Sequence, residues 1–290
     1  PYLSPVQPST LRAIFAGLTP YLLVVVWGIC LPPSLGAAGE PQQAWTNAVA
    51  RAQPEQILAL LDAGFDDVNH ATAAGKTALM IAAREGDLPL TRRLLEEGAS
   101  VHAKNHKGGT VLMYAAIGAR QEIVQLFLAE GSDVNASARN GWTAIYLAAV
   151  KGYDDIVALL LINGADPNLP DVYGWTPLMR AVEHRRLRVV RRLLKSRAID
   201  VSVRNQQGAS AAHWAAGKGS KELVGLLAAA GADLSLLDRK GRSVADYADA
   251  GGYRQLANEI QNGDVVIIDN KLKNLYPNLV KGIGKKFDVI

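Results

Sequence analysis

The apolar positions of this chain recur in blocks. In Ala138–Asn168, Ile145, Ala148 and Ala149 fall at helical spacing behind Thr143, and Gly152 breaks the run. Ile156, Val157, Leu159, Leu160 and Leu161 then form a second, more apolar stripe that stops at Gly164. Thr143 stands where a hydroxyl can accept from an unpaired amide of a first helical turn, and Gly164 where a left-handed residue ends a helix. The block predicts two short helices, the first lined with alanine and able to lie close against a neighbour. Neither can close a core alone, so copies must stack to bury their faces.

The copies are there. Thr77–Ala83, Thr110–Ala116, Thr176–Val182 and Ser210–Ala216 repeat the first helix, and Gly75, Gly108, Gly141, Gly174, Gly208 and Gly241 precede the helix starts at intervals of 33, 33, 33, 34 and 33 residues. That period belongs to a stacked-repeat architecture. One inserted residue within Lys195–Asp200 accounts for the longer interval. From Trp45 to Asn69, the residues Ala48, Ile57, Leu58, Leu60, Leu61 and Gly64 fit the same phases and predict a partial first unit. Asp246 and Asp249 replace apolar or small residues in the last unit, as a cap facing water requires.

With the trailing Leu94–Ala99 and Leu226–Asp233, the pattern Gly-x-Thr-Pro-Leu-His-x-Ala-Ala followed by Leu-Leu-x-x-Gly-Ala-Asp closely resembles the ankyrin repeat over about residues 45–263. Only Pro177 keeps the motif's proline and only His213 its histidine; Met80, Met113, Tyr146 and Met179 stand there instead. The resemblance implies an all-α solenoid of paired antiparallel helices with hairpin-like turns, about six repeats plus a partial N-terminal one, over residues 39–263. It also implies a protein partner on the concave side, at hairpin tips and inner-helix ends. Carried over, those positions are His106, Lys107, Arg139, Asn140, Trp142, Val172, Tyr173, Trp175, Gln206 and Gln207, with Ala209, Arg239, Lys240 and Arg242 beyond them. Trp142 and Trp175, on matching tips, are expected outside the helical layers, either as partner anchors or packed on each other. Tyr114, Leu147, Trp214 and Tyr247 share an inner-helix position expected to be half buried between repeats.

Charge adds one feature. The net charge of +4 is too small to imply nucleic acid, but Arg185, Arg186, Arg188, Arg191, Arg192, Lys195 and Arg197 crowd one outer helix. A solvated face partly neutralised by Asp154 and Asp155 is the leading account, with an acidic protein or anionic lipid the rival. No aromatic platform accompanies the arginines, and nucleic acid is not expected as a partner.

The ends depart from the repeat. Residues 13–31 form an apolar run behind Arg12, no further charge occurs until Glu40, and Gly36, Ala37 and Ala38 are small. Residues 1–38 are expected to be a signal peptide cut after Ala38 or, alternatively, an uncleaved membrane anchor. Either carries the repeats across a membrane, giving a periplasmic or secreted protein, or an anchored one facing away from the cytoplasm. The resemblance extends to exported bacterial ankyrin-repeat proteins. Cys30, the single cysteine, lies within the apolar run, so the repeats hold no disulfide and no cysteine nucleophile. Asn135–Ser137 matches a glycosylation acceptor by chance. The tail, residues 264–290, opens with Val265–Ile268, expected to pack on the last repeat, and its Lys281–Lys286 lacks the spacing of a phosphate loop.

Chemistry is otherwise thin. His70, His102 and His106 lie near successive hairpins without a fourth ligand, so no metal and no cofactor are expected. Ser210 and His213 lie three apart with no orienting acid. A non-enzymatic, monomeric protein-binding scaffold is the expected function. The alternatives are a secreted effector acting on host proteins and a small enzyme using Asp264, Asp269 and Tyr276 of the tail.

Overall fold

The computed structural model describes residues 40–265; the apolar N-terminal segment and the tail beyond Val265 lie outside the described residues. Seven helix pairs follow in order: α1 (Glu40–Ala50) with α2 (Pro54–Asp62), α3 (Ala78–Glu85) with α4 (Leu88–Glu96), α5 (Val111–Gly118) with α6 (Gln121–Ala129), α7 (Ala144–Lys151) with α8 (Asp154–Ile162), α9 (Pro177–Glu183) with α10 (Leu187–Leu194), α11 (Ala211–Gly217) with α12 (Lys221–Ala229), and α13 (Val244–Ala250) with α14 (Arg254–Asn262). Among the described residues there are no strands, only two isolated bridges, Lys104 with Thr110 and Leu237 with Ser243.

Helices of seven to nine residues are marginal alone, so packing must hold them. Each helix from α3 to α11 at the start of a pair lies against its outer partner and against the first helix of the next pair. Alanines make that approach possible: Ala82, Ala83, Ala115, Ala116, Ala148, Ala149, Ala215 and Ala216 are fully buried. The outer row adds Leu94, Ile123, Phe127, Ile156, Leu160, Val190 and Leu193 to one continuous core. The N-terminal pair is closed by Trp45, which stacks on Phe65 at 4.4 Å and donates its indole N–H to the His70 carbonyl at 3.1 Å.

The hydroxyl caps behave as the sequence predicts. Thr77, Thr110, Thr143 and Thr176 accept from the amide three residues on, at 3.2–3.4 Å. Ser210 adds a reciprocal bond, a capping box in which its own amide donates to His213 Nδ1 at 3.1 Å. Gly152 and Gly164 are left-handed, as expected. The inserted residue near Lys195 lets the chain leave α10 without a left-handed glycine. Asp246 and Asp249 face water, and Asp246 binds the Ser243 amide at 2.7 Å. Val265 is partly buried against the core, while Val266, Ile267 and Ile268 lie outside the described residues.

Candidate binding edge

Six five-residue turns stand in a row, at 72–76, 105–109, 138–142, 171–175, 205–209 and 238–242. Each closes on itself, the first residue's amide donating to the fifth residue's carbonyl at 2.8–3.0 Å. Each also docks on its neighbour through one backbone bond: His106 to Ala74, Arg139 to Lys107, Val172 to Asn140, Gln206 to Tyr173, and Arg239 to Gln207, at 2.9–3.0 Å. The close approach explains the glycines. A Cβ on Gly141 would stand 2.7 Å from Cα of Asp171, and one on Gly174 would stand 2.9 Å from Cα of Asn205, at positions whose φ is already 82° and 81°. Backbone sterics and backbone pairing thus demand the same residue.

A polar pair fixes three of the turns to the helix behind them. The residue opening four of the turns is Asn or Asp, whose Oδ1 accepts two amides of its own turn: Asn105 from Lys107 and Gly109, Asp171 from Tyr173 and Trp175, Asn205 from Gln207 and Ala209, Asp238 from Lys240 and Arg242. In three of these four turns the second polar atom meets the side chain nine residues on; Asn205 Nδ2 finds no partner. Asn105 Nδ2 donates to the Tyr114 hydroxyl at 3.0 Å, Arg180 Nη2 donates to Asp171 Oδ2 at 2.9 Å, and the Tyr247 hydroxyl donates to Asp238 Oδ2 at 3.0 Å.

Around Asp171 this becomes a network. The Tyr146 hydroxyl donates to Asp171 Oδ2 and accepts from Arg180 Nε, both at 2.6 Å, and Arg180 Nη1 donates to Glu183 at 2.9 Å. Burial pushes the Asp171 carboxyl up, but the Tyr146 and Arg180 bonds outweigh it and hold it below the usual carboxylate range. Burial and the bond to Asp171 raise Tyr146 far above its usual value. At the next-but-one tip, Arg242 donates to Asp238 Oδ2 at 2.8 and 2.9 Å and lies 4.6 Å over the Tyr247 ring.

The two tryptophans part company here. Trp142 is 41% exposed, stacked on Tyr146 at 5.9 Å. Trp175 is only 8% exposed, between Arg180 at 4.1 Å and Trp214 at 4.4 Å. The expectation that Trp175 stands outside the helical layers is therefore corrected, and the indoles do not pack on each other. Trp175 is covered by Arg180 and by Trp214 of the next unit, whereas the counterpart of Trp214 in the unit after Trp142 is Arg180, which is committed to Asp171 and lies over Trp175. Ala209 is buried and Asn140 half-buried, its Oδ1 accepting from the Trp142 amide at 3.2 Å. His106, Lys107, Arg139, Val172, Tyr173, Gln206 and Gln207 are exposed, as are Arg239, Lys240 and Arg242. Val172 at 48% and Tyr173 at 63% join Trp142 as exposed apolar groups on adjacent, hydrogen-bonded tips.

Tyr114, Leu147 and Trp214 are half-buried and Tyr247 is buried, close to expectation. Arg180 shares their position, and the sequence reading passed over it. The arginine-rich helix is laced to its neighbours: Arg188 and Arg192 reach Asp154 at 3.3 and 3.9 Å, Arg191 reaches Glu222 at 2.7 Å, and Arg186 donates to the Val150 carbonyl at 3.2 Å. Asp155 instead accepts from Gln121 at 2.7 Å. His70 pairs with Asp67 at 3.2 Å. Of the tail residues weighed for catalysis, Asp264 is exposed, and Asp269 and Tyr276 lie outside the described residues.

Helix pairs stacked in series and tied edge to edge by their turns define an α-solenoid repeat protein. The family model for ankyrin repeats (3 copies) matches residues 45–138 and 118–205, together more than half of the chain, and the chain belongs to the ankyrin-repeat family. Members of the family are generally non-enzymatic scaffolds for protein–protein contacts. No curated protein matches the chain.

Proposed function

We propose that this chain is a non-enzymatic scaffold that holds a protein partner along its row of hairpin tips. The observation that carries this reading is the contiguous exposure of Trp142, Val172 and Tyr173 on two tips joined by the Val172–Asn140 backbone bond. Exposed aromatics on a rigid support are the usual anchors of protein interfaces. The tips are held by backbone bonds to each other and by buried carboxylates and amides to the helices behind. Binding there loses less conformational freedom than binding on free loops. The apolar N-terminal segment makes the destination the far side of a membrane, so the scaffold works in a periplasm or outside the cell, as a monomer.

The test replaces Trp142 and Tyr173 by alanine together and follows partner capture from the compartment where the protein accumulates, with helical content as the folding control. Capture should be lost with helicity unchanged. Undiminished capture would place the binding surface elsewhere. Trp175 is unsuitable for this test, because its loss would open the repeat interface. N-terminal sequencing of the accumulated protein tests the leader, and a start at Gly39 is the expected result.

A further inference from the structure

We infer that the partner presents an acidic segment with apolar side chains at its centre, bound extended along the hairpin edge. This rests on the scaffold reading above and adds the chemistry of what is held.

The charge pattern on the six turns carries the argument. Their charged side chains and histidine are Lys76, His106, Lys107, Arg139, Asp171, Asp238, Arg239, Lys240 and Arg242. Both acids are turned inward: Asp171 is buried under Arg180, Asp238 under Arg242 and Tyr247. What the edge shows to water is therefore cationic only. The cations are not evenly spread. Lys107 and Arg139 flank one side of the apolar group, Arg239 and Lys240 stand beyond the other, and the turns at 171–175 and 205–209 between them carry no exposed charge. Val172 and Tyr173 occupy the first of those neutral turns, and Gln206 and Gln207 the second. Gln206 spends its amide on the Val172 carbonyl at 2.7 Å, which ties the neutral turns together.

This order, cation, apolar, polar, cation, matches a segment with acids towards both ends and hydrophobic residues between. It fits a nucleic-acid strand poorly, because phosphates recur at every nucleotide, while along the two middle turns the exposed cation is Arg204 alone among the described residues, its guanidinium already bonded to the Gly208 and Leu237 carbonyls. The chain's own undescribed ends fit no better: residues 1–39 hold Arg12 as their one charge, and residues 266–290 hold five lysines against two aspartates. Stacked helices lie roughly 10 Å apart, so four steps from Lys107 to Arg239 span roughly 40 Å. An extended chain of about 12 residues covers that distance.

The experiment uses the purified protein and three fluorescein-labelled probes read by anisotropy: a peptide of about 12 residues with glutamates at both ends and Leu-Phe at the centre, the same peptide with lysines for glutamates, and oligothymidine. The acidic peptide should bind at least about tenfold more tightly than its lysine counterpart. Lys107→Glu combined with Arg239→Glu should weaken it about tenfold at low salt and less as salt rises, whereas Tyr173→Ala should weaken it at every salt concentration. Equal or stronger binding of the lysine peptide, tighter binding of oligothymidine, or no binding of the acidic peptide overturns the inference. None of these touches the scaffold reading, which stands or falls on partner capture by the Trp142→Ala, Tyr173→Ala protein.

Discussion

The guanidinium of Arg180 lies over the indole of Trp175, 4.1 Å from its centroid, while its nitrogens bind Asp171, Glu183 and Tyr146. One side chain thus joins a turn, its own helix and the preceding repeat. Replacing Arg180 by methionine keeps the stem but leaves the buried Asp171 carboxylate without its cation. Its tyrosine and amide donors remain, so the cost is expected at about 2 kcal/mol, below that of a wholly unpaired charge. Urea midpoints measure it. A loss under about 0.5 kcal/mol, the range of ordinary surface substitutions, would show that the network contributes little.

A mismatch at the next tip offers the reverse test. Asn205 and Trp214 are the counterparts of Asp171 and Arg180, but Asn205 Nδ2 and Trp214 Nε1 are both donors, both buried and both without an acceptor. Asn205→Asp turns one donor into an acceptor and keeps the oxygen that serves Gln207 and Ala209. The variant is expected to gain about 1 kcal/mol at neutral pH. Thermal denaturation at pH 7 checks this, and a lower midpoint would contradict it.

Three repeat junctions are sewn by an asparagine that donates to a carbonyl and accepts an amide of the next repeat: Asn69 with Gly98 and Ser100, Asn135 with Gly164 and Asp166, Asn168 with Ala198 and Asp200, at 2.6–3.1 Å. His102 occupies that place at the second junction, where it lines an open groove of about 530 Å³ with Arg92, Glu96, Val101, Leu126 and Glu130. His102→Asn should restore the bridge to Gly131 and Asp133. A gain of about 1–2 kcal/mol is expected, the worth of two modest hydrogen bonds. Slower amide exchange at Asp133 would report the new bond directly.

Acid should weaken the stack in two stages. Burial holds the His213 imidazole below the ordinary histidine pKa, against the opposing pull of the Leu236 backbone and the Asp238 carboxylate. Its folded pKa lies below the unfolded value of about 6.5, so its contribution is complete above that pH and is lost as pH falls through the folded pKa. Asp171, depressed by the Tyr146 and Arg180 bonds that outweigh its burial, follows the same sign lower down: full above about 3.9, lost as pH falls further. Denaturation midpoints from pH 8 to pH 3 should fall in both windows. His213→Gln should flatten the first and Asp171→Asn should reduce the second. An unchanged first window in His213→Gln would assign that titration to another group.

The repeat was legible because backbone geometry writes itself into sequence: a turn that needs φ near +80° and has no room for a Cβ admits only glycine, and a helix start without a prior amide partner favours Thr or Ser. What stayed hidden depends on neighbours a repeat away. Trp142 and Trp175 occupy one sequence position, yet one is exposed and the other buried, because Arg180 follows the first and Trp214 the second. Arg180 itself left a signal: it is the one charged residue in a row otherwise held by Ile81, Tyr114, Leu147, Trp214 and Tyr247, nine residues after an aspartate. The arginine-rich helix was correctly placed on an outer face beside Asp154, while the partners Glu222 and Val150 came from both adjoining repeats and lay beyond any local pattern.

The central claim is that the hairpin row is the surface on which a protein partner sits. A photo-crosslinking amino acid placed at Tyr173, and separately at Ile162, which is 83% exposed at the end of an outer helix, tests it in the cells that make the protein. A discrete crosslinked protein adduct from position 173, absent from position 162, is the predicted result; adducts of equal yield from both positions, or from 162 alone, would contradict it.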